Sequence, residues 1–260
     1  MNIYVLVKYV PDTEAIVKVA SESELEIENK YFTSYFDEVA IEEALKLKEK
    51  FGGKVTVVTV DNKKIDALRR GIAMGADEAV QITDPGLEES DPFGIARALA
   101  AFLQKEPYDL ILCGRQAMDD DAGVVGPATA ELLGIPHASA ILGLDVADDG
   151  KSARVDRQIE GGKEHIRCSL PALLTAQKGL NVPRIPQVMG MMKAMKADVR
   201  KVDLTELGVD PAMVGASGQK VRVLKYEPPP QRSSATMVEE DFPENVKHLV
   251  KLLQEEAKVL

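Results

Sequence analysis

The sequence predicts an α/β protein with a doubly wound, mostly parallel sheet, an antiparallel edge and an extended C-terminal arm. Over the first two-thirds of the chain, continuous apolar runs typical of buried strands alternate with amphipathic helical segments. Parallel strands need helical crossovers, which cover both faces of the sheet. Two hairpin signals and a proline-rich region then follow. We therefore expect an α/β domain at residues 1–200 and the arm at residues 201–260.

The parallel strands and their crossover helices are predicted in chain order from apolar periodicity. Residues 3–7 (IYVLV) are a continuous apolar run, and Lys54–Val60 (KVTVVTV) is rich in β-branched residues. Further strands are expected at Glu78–Ile82, 108–113 and 170–176. Apolar residues at helical spacing predict helices at 37–51, 63–74, 92–105 and 128–133, the third with Asp91 as its N-cap.

The antiparallel edge and the arm are predicted from turn residues and prolines. Strand-like runs at 138–146, 153–159 and 165–169 are separated by the turn signals DDG and EGG. Residues from about 200 to 242 look extended and loop-rich, and a short amphipathic helix follows them. An arm that cannot build its own core must pack on this domain or on another chain.

Composition and charge exclude several classes of protein. No stretch of the 260 residues approaches the roughly 20 apolar residues of a membrane-spanning helix. The N-terminus is typical of a strand rather than a signal peptide, and two cysteines suit a reducing cytoplasm, where we expect the protein. A net charge of −10 disfavours a nucleic-acid binder. Three histidines and no tryptophan disfavour a His-rich metal site or a base-stacking platform.

The most informative segment for function is residues 114–127 (GRQAMDDDAGVVGP), which follows a predicted buried strand and precedes a helix. Its glycines let backbone N–H groups approach an anion, and the helix start adds partial positive charge. Three consecutive aspartates would repel a triphosphate but suit ribose hydroxyls, and no P-loop motif is present. The segment therefore predicts a nucleoside monophosphate or dinucleotide site. The alternative is a strand-to-helix turn whose aspartates only cap the helix.

The sequence offers no catalytic apparatus that we can assign. No serine or cysteine lies beside an obvious base, and Cys113 is expected to pack in the core. A metal-dependent hydrolase built on residues 119–121 is disfavoured, because three adjacent side chains do not converge on one ion and no histidine joins them.

Several ordered motifs together carry a resemblance to a known family. They are VK at 7–8 with PD at 11–12, FDEVAIEEA at 36–44, AMGAD at 73–77, the 114–127 segment, LPALLT at 170–175, GLNVPR at 179–184 and MKA at 192–194. In these stretches the chain resembles the β (small) subunit of electron transfer flavoproteins. The resemblance implies a Rossmann-like fold of the adenine nucleotide alpha hydrolase type. It also implies a heterodimer whose α subunit holds most of the FAD and receives the arm of this chain.

The resemblance further implies a second adenine nucleotide within this subunit, either AMP or, in electron-bifurcating members, a second FAD. The pocket residues that it implies are Leu6, Val7, Phe36, Thr59, Gly114, Arg115, Gln116, Ala117, Asp119, Asp120, Asp121, Gly123, Val124 and Val125. The motif at 125–127 resembles bifurcating members and the motif at 36–38 resembles housekeeping ones, so the choice between AMP and FAD stays open. Phe36 either approaches the partner's flavin or serves as a core aromatic at a helix start.

Residues 183–193 resemble the loop with which the family docks onto partner flavin dehydrogenases, such as acyl-CoA dehydrogenases. The residues expected to take part are Pro183, Arg184, Val188, Met189, Met192 and Lys193, with Val188 in the position of the apolar anchor. Exposed methionines make an adaptable contact surface. The alternative is that these methionines form the buried side of an ordinary helix.

The function implied is that of an electron carrier subunit, not an enzyme in itself. It would accept electrons from flavin dehydrogenases and pass them on through FAD, with bifurcation coupled to NADH as a refinement. The alternative is a stand-alone adenine-nucleotide-binding signalling domain. The proline-rich arm disfavours that alternative, because a solitary domain has nothing for the arm to wrap.

Overall fold

The computed structural model describes residues 1–230, 234–235 and 237–260. In this part of the chain the strands are β1 (Asn2–Leu6), β2 (Tyr9–Pro11), β3 (Val17–Ser21), β4 (Glu24–Ile27), β5 (Tyr31–Thr33), β6 (Lys54–Val60), β7 (Glu78–Ile82), β8 (Leu110–Gly114), β9 (His137–Val146), β10 (Ser152–Ile159), β11 (Gly162–Ser169), β12 (Ala172–Ala176) and β13 (Arg200–Val202). The α-helices are α1 (Tyr35–Phe51), α2 (Asp66–Met74), α3 (Pro92–Leu103), α4 (Val125–Leu133), α5 (Val188–Lys196), α6 (Leu204–Leu207), α7 (Gly215–Gly218) and α8 (Glu244–Glu255).

The central sheet has the strand order β11-β10-β9-β12-β8-β1-β6-β7-β13. Every pairing from β9 to β13 is parallel, and β10 pairs antiparallel with both β9 and β11. Apolar side chains on both faces of the parallel strands form two buried clusters, one packed against α1 and α2 and the other against α3. The predicted fold, a doubly wound, mostly parallel sheet with an antiparallel edge, is confirmed.

The sequence located the central elements well and several of their ends less well. Lys54–Val60 and Glu78–Ile82 have the predicted bounds. The Asp91 side chain accepts a hydrogen bond from the Gly94 N–H at 2.8 Å, which confirms it as the N-cap of α3. The helices predicted at 37–51 and 128–133 start earlier, at Tyr35 and Val125, and the one predicted from residue 63 starts later, at Asp66.

Two sets of elements were not predicted. The β3–β4 hairpin and the β2–β5 pair form two small sheets between β1 and α1. The first part of the segment predicted to be extended from 200 to 242 contains β13, α6 and α7 instead, and β13 adds a parallel strand to the main sheet. Val202, Leu204, Leu207 and Val214 are buried in the core, so the body of the protein continues past residue 200.

The arm leaves the body after Val221. The Asp91 carboxylate accepts hydrogen bonds from the backbone N–H groups of Lys220 and Val221, which fixes this point beside α3. Beyond it, Tyr226 donates its backbone N–H to the Glu22 carbonyl at the tip of the β3–β4 hairpin. The predicted amphipathic helix is present as α8, and none of its residues is buried.

Candidate functional site

A cavity of about 250 Å³ lies at the carboxyl ends of β1 and β8. From β1 the chain continues to β6 and β7 on one side, whereas β8 lies on the other side, so the strand order switches here. Open α/β sheets bind ligands in such a crevice. The lining residues come from strand ends, the loop after β8 and the start of α3: Leu6, Val7, Lys8, Asp37, Val58, Val60, Ser90, Pro92, Ile95, Leu99, Cys113, Gly114, Arg115, Gln116, Ala117, Asp120, Ala122, Gly123, Val124, Val125 and Gly126.

Asp37, in the first turn of α1, joins the ends of the two strands that flank the cavity. Its carboxylate accepts hydrogen bonds from the Lys8 N–H at 2.8 Å and the Gly114 N–H at 2.9 Å. Burial raises the pKa of Asp37 to about 7, although the two N–H donors and the Lys8 charge oppose the rise. A β-carbon at position 114 would lie 2.5 Å from Asp37 Oδ1 and 2.7 Å from Phe36 Cβ. Only glycine therefore lets α1 approach the end of β8 this closely.

The loop after β8 is tied by its own aspartates to Lys8, which follows β1. Lys8 Nζ donates to the carboxylates of Asp119 and Asp120, at 2.8 Å and 3.1 Å. Burial by itself would lower the pKa of Lys8, but these two carboxylates raise it, so the lysine stays charged. Asp121 accepts a hydrogen bond from the Gln116 amide. The acidic run is therefore paired internally with a lysine and an amide.

The first turn of α4 forms another wall of the cavity. Its N-cap residue is Val124, which has no side chain able to cap the backbone N–H groups of the helix start. Gly126 packs so closely that a β-carbon would lie 2.8 Å from Cys113 Sγ and 2.9 Å from Thr175 Cγ2. Uncapped N–H groups at a helix start suit a phosphate or carboxylate group. The cavity thus combines apolar strand ends with one anion-binding end.

Ten of the fourteen residues predicted for a nucleotide pocket line this cavity: Leu6, Val7, Gly114, Arg115, Gln116, Ala117, Asp120, Gly123, Val124 and Val125. The other four, Phe36, Thr59, Asp119 and Asp121, do not line the cavity, but each contacts a residue that does. Thr59 Oγ1 donates to the Val7 carbonyl at 2.8 Å, and Asp119 and Asp121 make the loop contacts described above. The Phe36 ring lies 5.4 Å from the Arg115 guanidinium and is partly exposed, so it is not a fully buried core residue.

Sequence reasoning missed two polar residues of the cavity and its whole α3 wall. Lys8 and Asp37 stand inside quoted motifs, but their roles depend on contacts with residues 77 or more positions away. Ser90, Pro92 and Ile95 reach the cavity because α3 packs on the opposite face from α1. Only the sheet order, which places β8 beside β1, could have revealed these neighbours.

The predicted docking segment forms the helix α5, and its apolar side chains point outward. Val188 is 67% exposed and Met189 is 78% exposed, with Met192 and Lys193 also exposed. The alternative, that the methionines are the buried side of a helix, is half right: the segment is helical, but Ala194 is its only buried residue. Pro183 is partly buried. Arg184, predicted to face a partner, binds the α1 carboxylates Glu42 and Glu49 within the chain.

Among the described residues, no helix is both long and apolar enough to cross a lipid bilayer. In the same residues, no cluster of three or more histidine, cysteine, aspartate or glutamate side chains is arranged to hold a metal ion.

Comparison with known proteins agrees with the resemblance seen in the motifs. The sequence profile of the electron transfer flavoprotein domain matches residues 26–207. The chain is 37% identical to an electron transfer flavoprotein subunit beta of Bacillus subtilis, with 100% of both chains covered. It is 36% identical to the subunit of the same name from Thermoanaerobacterium thermosaccharolyticum, covering 97% of this chain and 98% of the relative. The corresponding mouse subunit is 38% identical over 81% of each chain. These matches show that the chain belongs to the electron transfer flavoprotein beta-subunit family.

Proposed function

We propose that this chain is one half of a heterodimeric electron carrier, which accepts electrons from flavin dehydrogenases and passes them on through FAD held mainly by an α subunit. FAD supplies the redox chemistry when it is bound. The chain's own residues supply a scaffold, a nucleotide cavity and a docking surface. Its thiols are poor redox candidates, since burial raises the pKa of Cys113 and of Cys168 and both are free.

The cavity between β1 and β8 is proposed to bind an adenylate group. Uncapped N–H groups at the start of α4 would receive the phosphate, and the apolar ends of β1 and β6 would contact the base. Its volume of about 250 Å³ is below the roughly 300–1,000 Å³ of typical ligand pockets, which favours a mononucleotide over a dinucleotide. We therefore propose AMP rather than a second FAD. One FAD and one AMP released per heterodimer would support this, whereas two FAD would support a bifurcating complex.

The exposed face of α5 is proposed to dock the partner dehydrogenase. Its outward side chains are a valine and four methionines, an adaptable apolar surface, and Lys193 and Lys196 lie among them. No acidic residue lies between 182 and 197, although the whole chain carries a net charge of −10. We therefore expect acidic residues on the dehydrogenase around the apolar contact, and salt-sensitive association.

The arm is proposed to pack on the α subunit. Val223, Leu224 and Phe242 are each more than half exposed, and α8 presents Val246, Leu249 and Val250 without a cover. This surface also separates the proposal from a stand-alone signalling domain, which would have no use for it. Size-exclusion chromatography discriminates the two functions, because the signalling domain predicts a stable monomer with the arm protected from protease.

One observation carries the proposal: this member of the family has both a cavity where the strand order switches and a helix, α5, with an exposed apolar face. Co-expression with the α subunit, followed by mixing with an acyl-CoA dehydrogenase and its substrate, tests it. Bleaching of the bound flavin absorbance is the expected result. A flavin-free heterodimer after reconstitution with FAD, or a loaded one that no flavin dehydrogenase reduces, would count decisively against it.

A further inference from the structure

Two of the motifs that carried the family resemblance, at 36–44 and 179–184, meet in space. Arg184 donates from Nε and Nη2 to both oxygens of Glu42, at 2.7 Å and 3.0 Å, and its backbone N–H donates to the same carboxylate at 3.1 Å. Its Nη1 donates to Glu49 at 2.7 Å. Glu42 and Glu49, about two turns apart on α1, thus hold one guanidinium, and all three of its nitrogens are used within the chain.

A second contact, one turn away, fixes the same segment. Asn181 Nδ2 donates to Glu43 at 2.8 Å and to the Val39 carbonyl at 3.0 Å. Glu42 is only 7% exposed and Glu43 only 4%, so these are buried carboxylates whose charge must be compensated. We call this set of residues (Glu42, Glu43 and Glu49 with Asn181 and Arg184) the α1 clamp.

The α1 clamp lies directly before the docking helix α5, which packs along α2. Three residues separate Arg184 from Val188, the first residue of α5. On α5, Gly190 lies against the Ala73 carbonyl of α2, and Ala194 is the only buried side chain. Val182, between the two clamped residues, and Ile185, directly after Arg184, are exposed. The segment is therefore held by the α1 clamp, by the buried Pro186 and by the packing of α5 on α2, while the apolar side chains on the outer face of α5 stay exposed.

We propose that the α1 clamp positions the docking helix, with Arg184 and Glu42 as positioning residues that hold α5 in the orientation a dehydrogenase engages. This proposal rests on the docking role proposed above for α5. In this proposal Arg184 does not itself contact the dehydrogenase. It sets the position of the α5 surface that does. A helix pre-organised in this way loses less conformational entropy when the partner binds.

Arg184→Gln in the purified heterodimer is the test, and Arg154→Gln, an exposed arginine on β10, is its control. We expect the amides of residues 188–196 to exchange with solvent at least tenfold faster in Arg184→Gln. We also expect the KM of an acyl-CoA dehydrogenase for the heterodimer to rise at least fivefold, with kcat and reduction by dithionite unchanged. Arg184→Lys, which keeps the charge but not the two-pronged geometry, should lie between Arg184→Gln and wild type.

Val188→Asp separates the failure of this inference from the failure of the docking role. If Val188→Asp raises the KM and Arg184→Gln leaves it at the wild-type value, the α1 clamp does not position the helix and the inference is overturned. If Val188→Asp leaves the KM unchanged, the docking role itself is wrong, and the inference falls with it. Should Arg184→Gln fail to assemble, Glu49→Ala removes one of the four hydrogen bonds of Arg184, and a twofold or smaller change in exchange would overturn the inference equally.

Discussion

Replacing Gly114 by alanine tests the closest approach in the site, where α1 crosses the end of β8. The new β-carbon would lie 2.5 Å from Asp37 Oδ1, 2.7 Å from Phe36 Cβ and 3.0 Å from the Phe36 carbonyl carbon. Ordinary contacts begin near 3.4 Å, so α1 must move by close to 1 Å. Overpacking of this kind costs about 1–3 kcal/mol. The movement also weakens the hydrogen bond from the Gly114 N–H to Asp37, and bonds to charged groups contribute about 1.5–3 kcal/mol.

Together these effects predict a loss of about 2–4 kcal/mol in unfolding free energy. The two penalties do not add in full, because the movement of α1 that weakens the hydrogen bond also relieves the overpacking. For a chain of this size each kcal/mol lowers Tm by about 2–4 °C, so the expected decrease is about 4–16 °C. Gly162→Ala is the matched control, because nothing lies within 4 Å of its β-carbon and its φ is not left-handed. Thermal unfolding and the nucleotide content of both variants are measured in the heterodimer. A Tm for Gly114→Ala within 1 °C of wild type, with full nucleotide content, would refute the close approach.

The remaining predictions concern pH and the arm. The pKa of Asp37, about 7 in the folded protein, lies above its ordinary value of 3.8, so the fold binds this proton more tightly than the unfolded chain. The stabilisation that protonated Asp37 provides is complete below pH 4 and is lost as the pH rises through 7. Over this range the free energy of unfolding falls by up to about 1.4 kcal/mol per pH unit. Urea unfolding at pH 5 and pH 7 should therefore show a smaller loss of stability in Asp37→Asn than in wild type, by about 2–3 kcal/mol; equal losses would contradict the burial argument. Deleting residues 222–260 should leave the Tm of the isolated body within a few degrees of wild type but abolish co-purification with the α subunit, because none of the residues that the structure describes in this segment is buried. Retained co-purification would refute the packing of the arm on the partner.

The parallel sheet could be predicted because each central strand carries its own signal. Lys54–Val60 and Glu78–Ile82 are buried on both faces, and such strands are continuous apolar or β-branched runs in the sequence itself. β13 lacked that signal, because in its three residues only Val202 is buried. Its place in the sheet depends on pairing with β7, more than a hundred residues away in the chain.

The candidate site, like the sheet, could be predicted only where the signal is local in the sequence. The 114–127 segment could be recognised from its position between a strand and a helix, which is local information. Lys8 and Asp37 could not, because they reach the cavity only where β8 lies beside β1 and α1 crosses above both. Arg184 shows the same limit: a lone arginine in an exposed segment suggests a partner contact, and only the fold brings Glu42 to it.

The central proposal is that this chain binds an adenylate group at the junction of β1 and β8, while the redox group is FAD held mainly by the α subunit. A crystal structure of the heterodimer grown with excess AMP and FAD measures this directly. We predict adenine nucleotide density bounded by Asp37, the loop at 114–124 and the start of α4, with the isoalloxazine ring held by the other subunit. Solvent alone in that crevice, at saturating AMP and FAD, would contradict the account.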